Sequence, residues 1–353
     1  MNDEYNVIGV MSGTSLDGID LVYVRFIFNE DLNFEVLHAE TIGYDNIWHQ
    51  RLKNLVNIPL EELKEIDVEY TQYLAEIIKR FINKHDIKNI DVVCSHGHTA
   101  LHKPKEKLTY QIGNKPILSN LINEKVVCDF RVQDVELGGQ GAPLVPIGDE
   151  MLFSKYDFCL NLGGFSNVSL NNNDERIAYD ICPVNIVLNH YVSKLGLNYD
   201  DEGNIASKGN INVQLLNQLN ALNFYKKKHP KSLGLEWVHE QIFPILDALK
   251  LKLEDILKTF VEHIAIQIAL EVNKKVNATV LITGGGVYNT YLLERLKHYS
   301  KSKIIIPPKN IIEFKEALIF GFLGVLKLRN ETNCLKSVTG ALKDHSSGKI
   351  FHP

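Results

Sequence analysis

The chain has 353 residues, 45% of them hydrophobic and 23% charged, with a formal net charge of −5. That size suits two domains or one bilobed unit, and the negative charge gives no general attraction for nucleic acid. No apolar run approaches the ~18 residues of a membrane span; the acidic start MNDEYNVIGV does not read as a signal peptide; and five scattered cysteines without a C-x-x-C pair suit reduced thiols in a cytoplasm.

In chain order, apolar and β-branched runs predict strands at 6–10, 20–28 and 33–38. Residues 59–84 predict an amphipathic helix. There Leu60, Leu63, Ile66, Tyr70, Tyr73, Leu74, Ile77 and Phe81 recur at three- and four-residue steps, with Glu61 and Glu62 favouring its N-terminus. Strands at 90–95 and 108–113, a short helix at 116–123 and a strand at 125–130 follow. The pattern then restarts, with strands at 156–164, 165–170 and 176–180 and helices near 184–195, 210–222, 236–249 and 253–275. A strand at 278–286, a helix at 288–299, a strand at 302–307 and a helix at 315–328 complete it. A three-strand unit followed by alternating helices and strands therefore occurs twice. Each copy carries a glycine-containing turn, MSGTSLDG in one and NLGGFSN in the other. Two such α/β lobes predict a ligand cleft between them. The basic cluster 226-KKKHPK-231 reads as a solvated loop.

The first turn directs several backbone amides into one concavity, which suits phosphate oxygens. Gly13 and Gly18 permit its bends, Ser12, Thr14 and Ser15 add hydroxyls, and Asp17 or Asp20 could hold Mg²⁺ directly or through water. A tight hairpin closed by a type I′ turn at Asp17-Gly18 fits the same letters. No G-x-x-x-x-G-K-[ST] occurs, which excludes a P-loop. The stretch 284-GGGVYN-289 has Asn289 where a dinucleotide fingerprint needs its third glycine. A glycine wall against an adenine or ribose, or a packing turn, remains for it.

Asp180 is predicted to close a strand before a helix, a place for a general base or for a helix cap; Glu316 shares the ambiguity. In 95-SHGHTALH-102 three histidines lack a carboxylate or thiolate partner at set spacing, so polar substrate contacts are preferred over zinc. The glycine-dense 129-DFRVQDVELGGQGAPLVP-146 keeps Arg131 as an anion ligand or serves as a hinge.

Together these segments resemble the anhydro-N-acetylmuramic acid kinase family, within the acetate/sugar kinase and actin-like ATPase group. The resemblance runs through 11-MSGTSLDGID-20, 95-SHGHT-99, 110-YQIGN-114, 129-DFRVQD-134, 138-GGQGAPLVP-146, 161-NLGGFSNVSL-170, 284-GGGVYN-289, 316-EAL-318 and 338-VTGA-341. It implies two ribonuclease-H-like lobes around an interdomain cleft. The first would comprise 1–128 with the C-terminal stretch of about 315–353, the second 129–314. It implies ATP with its phosphates on Ser12, Gly13, Thr14, Ser15, Leu16, Asp17, Gly18 and Ile19, and Mg²⁺ at Asp17. The turns Gly163-Gly164 and Gly284-Gly285-Gly286 would lie on the nucleotide side. The substrate implied is 1,6-anhydro-N-acetylmuramic acid, a recycled cell-wall fragment. Asp180 would be the base for the water that opens the anhydro bridge. His96, Thr99, Arg131, Asn167 and Glu316 would contact the sugar. The resemblance also implies a cytoplasmic homodimer.

Three departures stand out. The family's D-x-G-P-G-N is 180-DICPVN-185 here, with Cys182 and Val184 in place of glycines, so the backbone there must avoid positive φ or bear strain. The family's K-S-T-G-R-E is 231-KSLGLE-236, and His98 replaces a common glutamine. These leave a kinase for a related sugar, or a catalytically impaired nucleotide-dependent binding protein, as alternatives.

Overall fold

Strand β1 (Glu4–Ser12) is buried on both faces from Val7 to Met11, which suits an interior strand rather than an edge. It pairs antiparallel with β2 (Ile19–Phe28), which pairs antiparallel with β3 (Leu32–Ile42). On its other side it runs parallel to β4 (Val92–Lys103). Strand β5 (Leu108–Ile112) turns back on β4, β6 (Val126–Cys128) lies parallel to β4, and β12 (Lys349–Phe351) closes that edge. The second sheet has β7 (Phe158–Leu162) in its middle. Strands β8 (Phe165–Asn172) and β9 (Glu175–Pro183) follow antiparallel on one side, with β10 (Thr279–Thr283) and β11 (Lys303–Ile305) parallel on the other. The computed structural model describes residues 3–13 and 16–353.

With β5 and β12 set aside, the seven-stranded first sheet runs β3-β2-β1-β4-β6 and the second β9-β8-β7-β10-β11, so the two share one order, three antiparallel strands followed by two parallel ones. This is the ribonuclease-H-like arrangement, so the repeated pattern in the sequence corresponds to one topology used twice. The chain divides into Met1–Leu152 with Phe314–Pro353, and Phe153–Glu313. Residues 129–152, expected with the second lobe, thus belong to the first unit. Their polar groups explain it: Arg131 Nε donates to His96, and Asp134 accepts from Thr339.

Each unit has its own apolar core. In the first, helix Leu60–Lys84 buries Leu63, Tyr70, Leu74, Ile77 and Phe81 of the predicted face, together with Ile78, while Ile66 and Tyr73 are half-buried and Leu60 is exposed. In the second, helix Leu253–Val272 is buried on most of its circumference against β7, β9 and β10 side chains. Helix Lys309–Leu328 starts directly after Pro307-Pro308, six residues before the predicted start at 315, because proline is tolerated at a helix entrance. It runs so close to β1 and β4 that a Cβ on Gly9 would overlap the Ala317 carbonyl oxygen, and one on Gly324 would overlap Cys94 Sγ.

Two further differences have local causes. Helix Asn46–Lys53 was not predicted; Asp45 caps it, accepting from Trp48 N at 2.7 Å, and it buries Trp48 and Leu52. The helix expected over 236–249 is interrupted by a π-turn at Val238–Ile242, just before Pro244, which has no N–H to offer the regular ladder. Among the described residues no helix is long and apolar enough to cross a membrane.

Candidate active site

The turn between β1 and β2 spans residues 13–18, because Ser12 pairs with Ile19. It is therefore a wide loop and not a two-residue type I′ turn. Leu16 has φ +64° and its N–H reaches Gly13 O at 3.4 Å. A Cβ on Gly18 would lie 2.6 Å from Ile42 O, so only glycine lets β3 approach. Asp17 is exposed and Ile19 buried; Thr14 and Ser15 lie outside the described residues. Asp20 is engaged at its carboxylate by Thr41 Oγ1 at 2.5 Å.

Ser12 is buried, and its hydroxyl points into the unit. It lies 2.5 Å from Tyr44 Oη and 2.9 Å from His98 Nδ1, and it accepts from Tyr70 Oη at 2.8 Å. Burial pulls the His98 imidazole down to about 4, so it is neutral in this network near pH 7. His98→Leu removes a partner from a buried hydroxyl and is expected to cost about 1–3 kcal/mol. His98→Gln, with a carboxamide able to donate or accept, should cost clearly less; urea unfolding of the two variants measures the difference.

His96 and His98 do not share a face. Three steps along β4 (Ser95 to His98) oppose two along β1 (Val10 to Ser12), and Gly97 takes φ +73° at this bulge. As a result the His96 ring packs on Phe320 at 4.6 Å, from helix Lys309–Leu328, while His98 faces Tyr70 of helix Leu60–Lys84. His102 turns to a third partner, Thr109 Oγ1, at 3.0 Å. Thr99 is half-buried beside Gln111 on β5.

Arg131 fixes the protonation of His96. Its Nε–H can only donate, and it lies 2.8 Å from His96 Nε2; the ring proton is therefore on Nδ1, donated to Gly97 O at 2.7 Å. Desolvation, and then the Arg131 charge, hold His96 well below its ordinary range. Arg131 Nη1 donates to Gly141 O at 2.6 Å. Burial pulls its guanidinium down to about 10, opposed first by Glu316. Glu316 is exposed, yet its carboxyl is raised by desolvation, with Arg131 and Lys315 pulling the other way. His96 and Arg131 are thus hydrogen-bonded to each other, and Glu316 acts on Arg131 through its charge.

In the second unit, Asp180 lies inside β9, which continues to Pro183, three residues past the predicted end. A bulge at Ile181 shifts the register, and Asp180 pairs with the exposed Asn167. Asn167 pairs with Asn161 on β7, which pairs with Thr283 on β10. Directly paired residues share a face, so Thr283, Asn161, Asn167 and Asp180 form a polar row across four strands. Asp180 Oδ2 accepts from Leu233 N at 2.7 Å, and Asp180 N donates to Lys231 O at 3.1 Å. Among the described residues Oδ1 accepts no hydrogen bond. Desolvation raises the Asp180 carboxyl, opposed by the Leu233 amide and the Lys231 charge. A half-buried carboxylate anchored through one oxygen can take a proton on the other.

The two lost glycines cause no strain of the left-handed kind. Val184 has φ −129°, and Cys182 is a buried strand residue whose Sγ lies 3.2 Å from Ser166 Oγ. The Gly163-Gly164 turn is used structurally. Val184 N and Ile186 N donate to Gly164 O, and Asn185 N donates to Gly163 O, which covers the start of helix Asn185–Val192. Gly284, with φ +86°, would place a Cβ 2.5 Å from Asn161 Oδ1, and Gly286 one 2.8 Å from Leu162 Cβ; Gly285 faces open space. Asn289 caps helix Thr290–Tyr299, accepting from Leu292 N at 2.9 Å.

The Ser12 partners Tyr44 and Tyr70, the Leu233 amide and the Asn161 member of the polar row were not expected from sequence. Only Asn161 left a local trace, in NLGGFSN beside the glycines it packs on.

Residues 5–353 match the family model described as anhydro-N-acetylmuramic acid kinase. The anhydro-N-acetylmuramic acid kinase of Sulfurimonas denitrificans is 33% identical over 366 residues, covering 98% of each chain. That of Mannheimia succiniciproducens is 33% identical over 370 residues, again covering 98% of each. Among solved structures, the activator of the 2-hydroxyisocaproyl-CoA dehydratase from Clostridium difficile, with bound ADPNP, is 14% identical with a TM-score of 0.46, over 92% of this chain and 97% of that one.

Proposed function

The chain belongs to the anhydro-N-acetylmuramic acid kinase family, and from that premise we propose that it opens the 1,6-anhydro bridge of 1,6-anhydro-N-acetylmuramic acid with water and transfers the γ-phosphoryl group of ATP to O6. The products are N-acetylmuramic acid 6-phosphate and ADP, and the reaction returns a cell-wall fragment to amino-sugar metabolism. Beyond the family match, the observation that supports this is Asp180, with Oδ2 anchored on the Leu233 amide and Oδ1 open.

In this proposal Asp180 removes a proton from the water that attacks the anomeric carbon, a contribution of about 10²–10⁴-fold. Its raised carboxyl makes it a stronger base than an ordinary aspartate. Asn167, paired with it, contacts the sugar from the same strand face. In the first unit His96, Thr99, Arg131 and Glu316 contact the sugar. The neutral His96 there offers Arg131 an acceptor and leaves its charge to the ligand. The loop Ser12–Ile19 receives the phosphates through its amides. The turns Gly163-Gly164 and Gly284-Gly285-Gly286 serve the nucleotide side, with Gly285 offering the open surface. Asp17 and Asp20 present hard oxygen donors of the kind Mg²⁺ takes, and the exposed Asp17 is the one we assign because Asp20 already holds Thr41. Mg²⁺ bound there would neutralise phosphate charge. A homodimer in the cytoplasm belongs to the same proposal, supported by the family alone.

Mass spectrometry of the anhydro sugar incubated with enzyme, ATP and Mg²⁺ should show a product heavier by one water and one phosphoryl group. No product from the anhydro sugar, but phosphate gained by N-acetylmuramic acid offered in its place, would instead make the enzyme a kinase of open-ring sugars. Nucleotide binding with no product at high enzyme would make it a binding protein. The changes at Cys182, Val184, Leu233 and Leu235 motivate both comparisons.

A further inference from the structure

One buried cluster in the first unit, apart from the groups assigned above, joins a thiol, an imidazole and a carboxylate. Cys334 and His345 stand directly opposite each other in an isolated antiparallel bridge, exchanging both backbone hydrogen bonds at 3.1 Å. That pairing puts their side chains on one side, facing Asp134 of helix Val132–Glu136. Cys334 Sγ lies 3.0 Å from Asp134 Oδ1, and His345 Nε2 lies 3.6 Å from the same oxygen. The three ligand atoms all fall within 4.8 Å of one another, and each residue is buried.

His345 Nδ1 is 3.1 Å from Lys343 O, and a carbonyl only accepts, so Nδ1 is a donor there and Nε2 is the ring nitrogen left to ligate. Nε2 is buried without a hydrogen-bond partner and is directed toward a carboxylate oxygen. A buried ring nitrogen without a hydrogen-bond partner calls for one, and a cation held between it, the carboxylate and the Cys334 sulfur would supply it. The outer contacts are those of metal ligands. The imidazole donates its other N–H to a carbonyl, and Asp134 Oδ2 is held by Gly141 N at 2.7 Å.

We infer that Asp134, Cys334 and His345 form a binding site for a zinc-class divalent cation, completed by water or by the Thr339 hydroxyl, which lies 2.7 Å from Asp134 Oδ1. Sulfur and imidazole together favour Zn²⁺ over Mg²⁺ or Ca²⁺. On binding, the thiol gives its proton to solvent and the ion takes the thiolate. Asp134 is three residues from Arg131, so the ion would tie the arginine-bearing segment to the C-terminal hairpin.

The test uses the full chain, reduced, stripped with chelator and titrated with Co²⁺ alone. One equivalent should bind with a thiolate-to-cobalt charge-transfer absorption, and one equivalent of Zn²⁺ should displace it and raise the melting temperature. Cys334→Ser should abolish the absorption, whereas Cys159→Ser should keep it. His345→Gln should weaken Co²⁺ by more than the roughly 10–100-fold that loss of an outer-shell partner costs. Circular dichroism checks that the variants fold; if Cys334→Ser does not, His345→Gln decides. No absorption in the wild type, or one that survives the decisive variants, overturns the site.

Discussion

Asp180→Asn is expected to lower sugar-dependent ADP release by about 10²–10⁴-fold, the range a positioned general base supplies, while ATP affinity stays roughly unchanged. The substitution is close to isosteric. An amide oxygen can still accept the Leu233 N–H that now binds Oδ2 at 2.7 Å, and Asp180 N keeps its bond to Lys231 O. What disappears is the capacity of the other oxygen to hold a proton. The pH profile gives an independent check. Desolvation raises the Asp180 carboxyl above its ordinary value of 3.8, and the base works only when deprotonated. The rate of the wild type should therefore fall as pH is lowered through that raised value, so its acid limb lies above the usual aspartate range. That limb should be absent from the residual activity of Asp180→Asn. A coupled assay of ADP release, with nucleotide binding followed by fluorescence, measures both effects; full activity in the variant would remove Asp180 from its role.

Gly9→Ala should destabilise the protein by about 3 kcal/mol, the upper part of the usual range for overpacking. The new Cβ would meet the Ala317 carbonyl oxygen, a backbone atom that cannot rotate away, so β1 and helix Lys309–Leu328 must separate. Both are buried along most of their length, and separation opens voids between them. Gly285→Ala is the natural control, because nothing lies within 4 Å of the added atom, and a surface change of that kind usually stays within about 0.5 kcal/mol. Urea unfolding of both variants decides; equal midpoints would show that the close packing at Gly9 is not limiting.

The elements most legible in the sequence were those with a strong period. Helix Leu60–Lys84 buries the predicted face from Leu63 onward, and the two three-strand patterns do begin sheets whose five-strand cores share one order. What escaped depends on contacts remote in sequence. The Ser12 hydroxyl meets Tyr70 58 residues away, and Asp180 meets Leu233 53 residues away. No local spacing encodes either. Regular alternation along a strand would put the two histidines of SHGH on one face, and the bulge at Gly97 breaks alternation there. The length of β9 was missed for a similar reason: Asp180 looks like a polar stop, yet the register shift at Ile181 lets the ladder continue past it. Asp180 itself, Arg131 and the glycine turns were identifiable as letters, but their hydrogen-bond partners were not.

The anchoring of Asp180 by a main-chain amide has an evolutionary corollary. An amide donor is supplied by any residue but proline, so the stretch KSLGLE can exchange side chains at Leu233 and Leu235 without disturbing the carboxylate beside it. Mutational drift in this segment is therefore uncoupled from the position of the base. Side chains there can change in single steps, each passing through a protein whose carboxylate is still held in place.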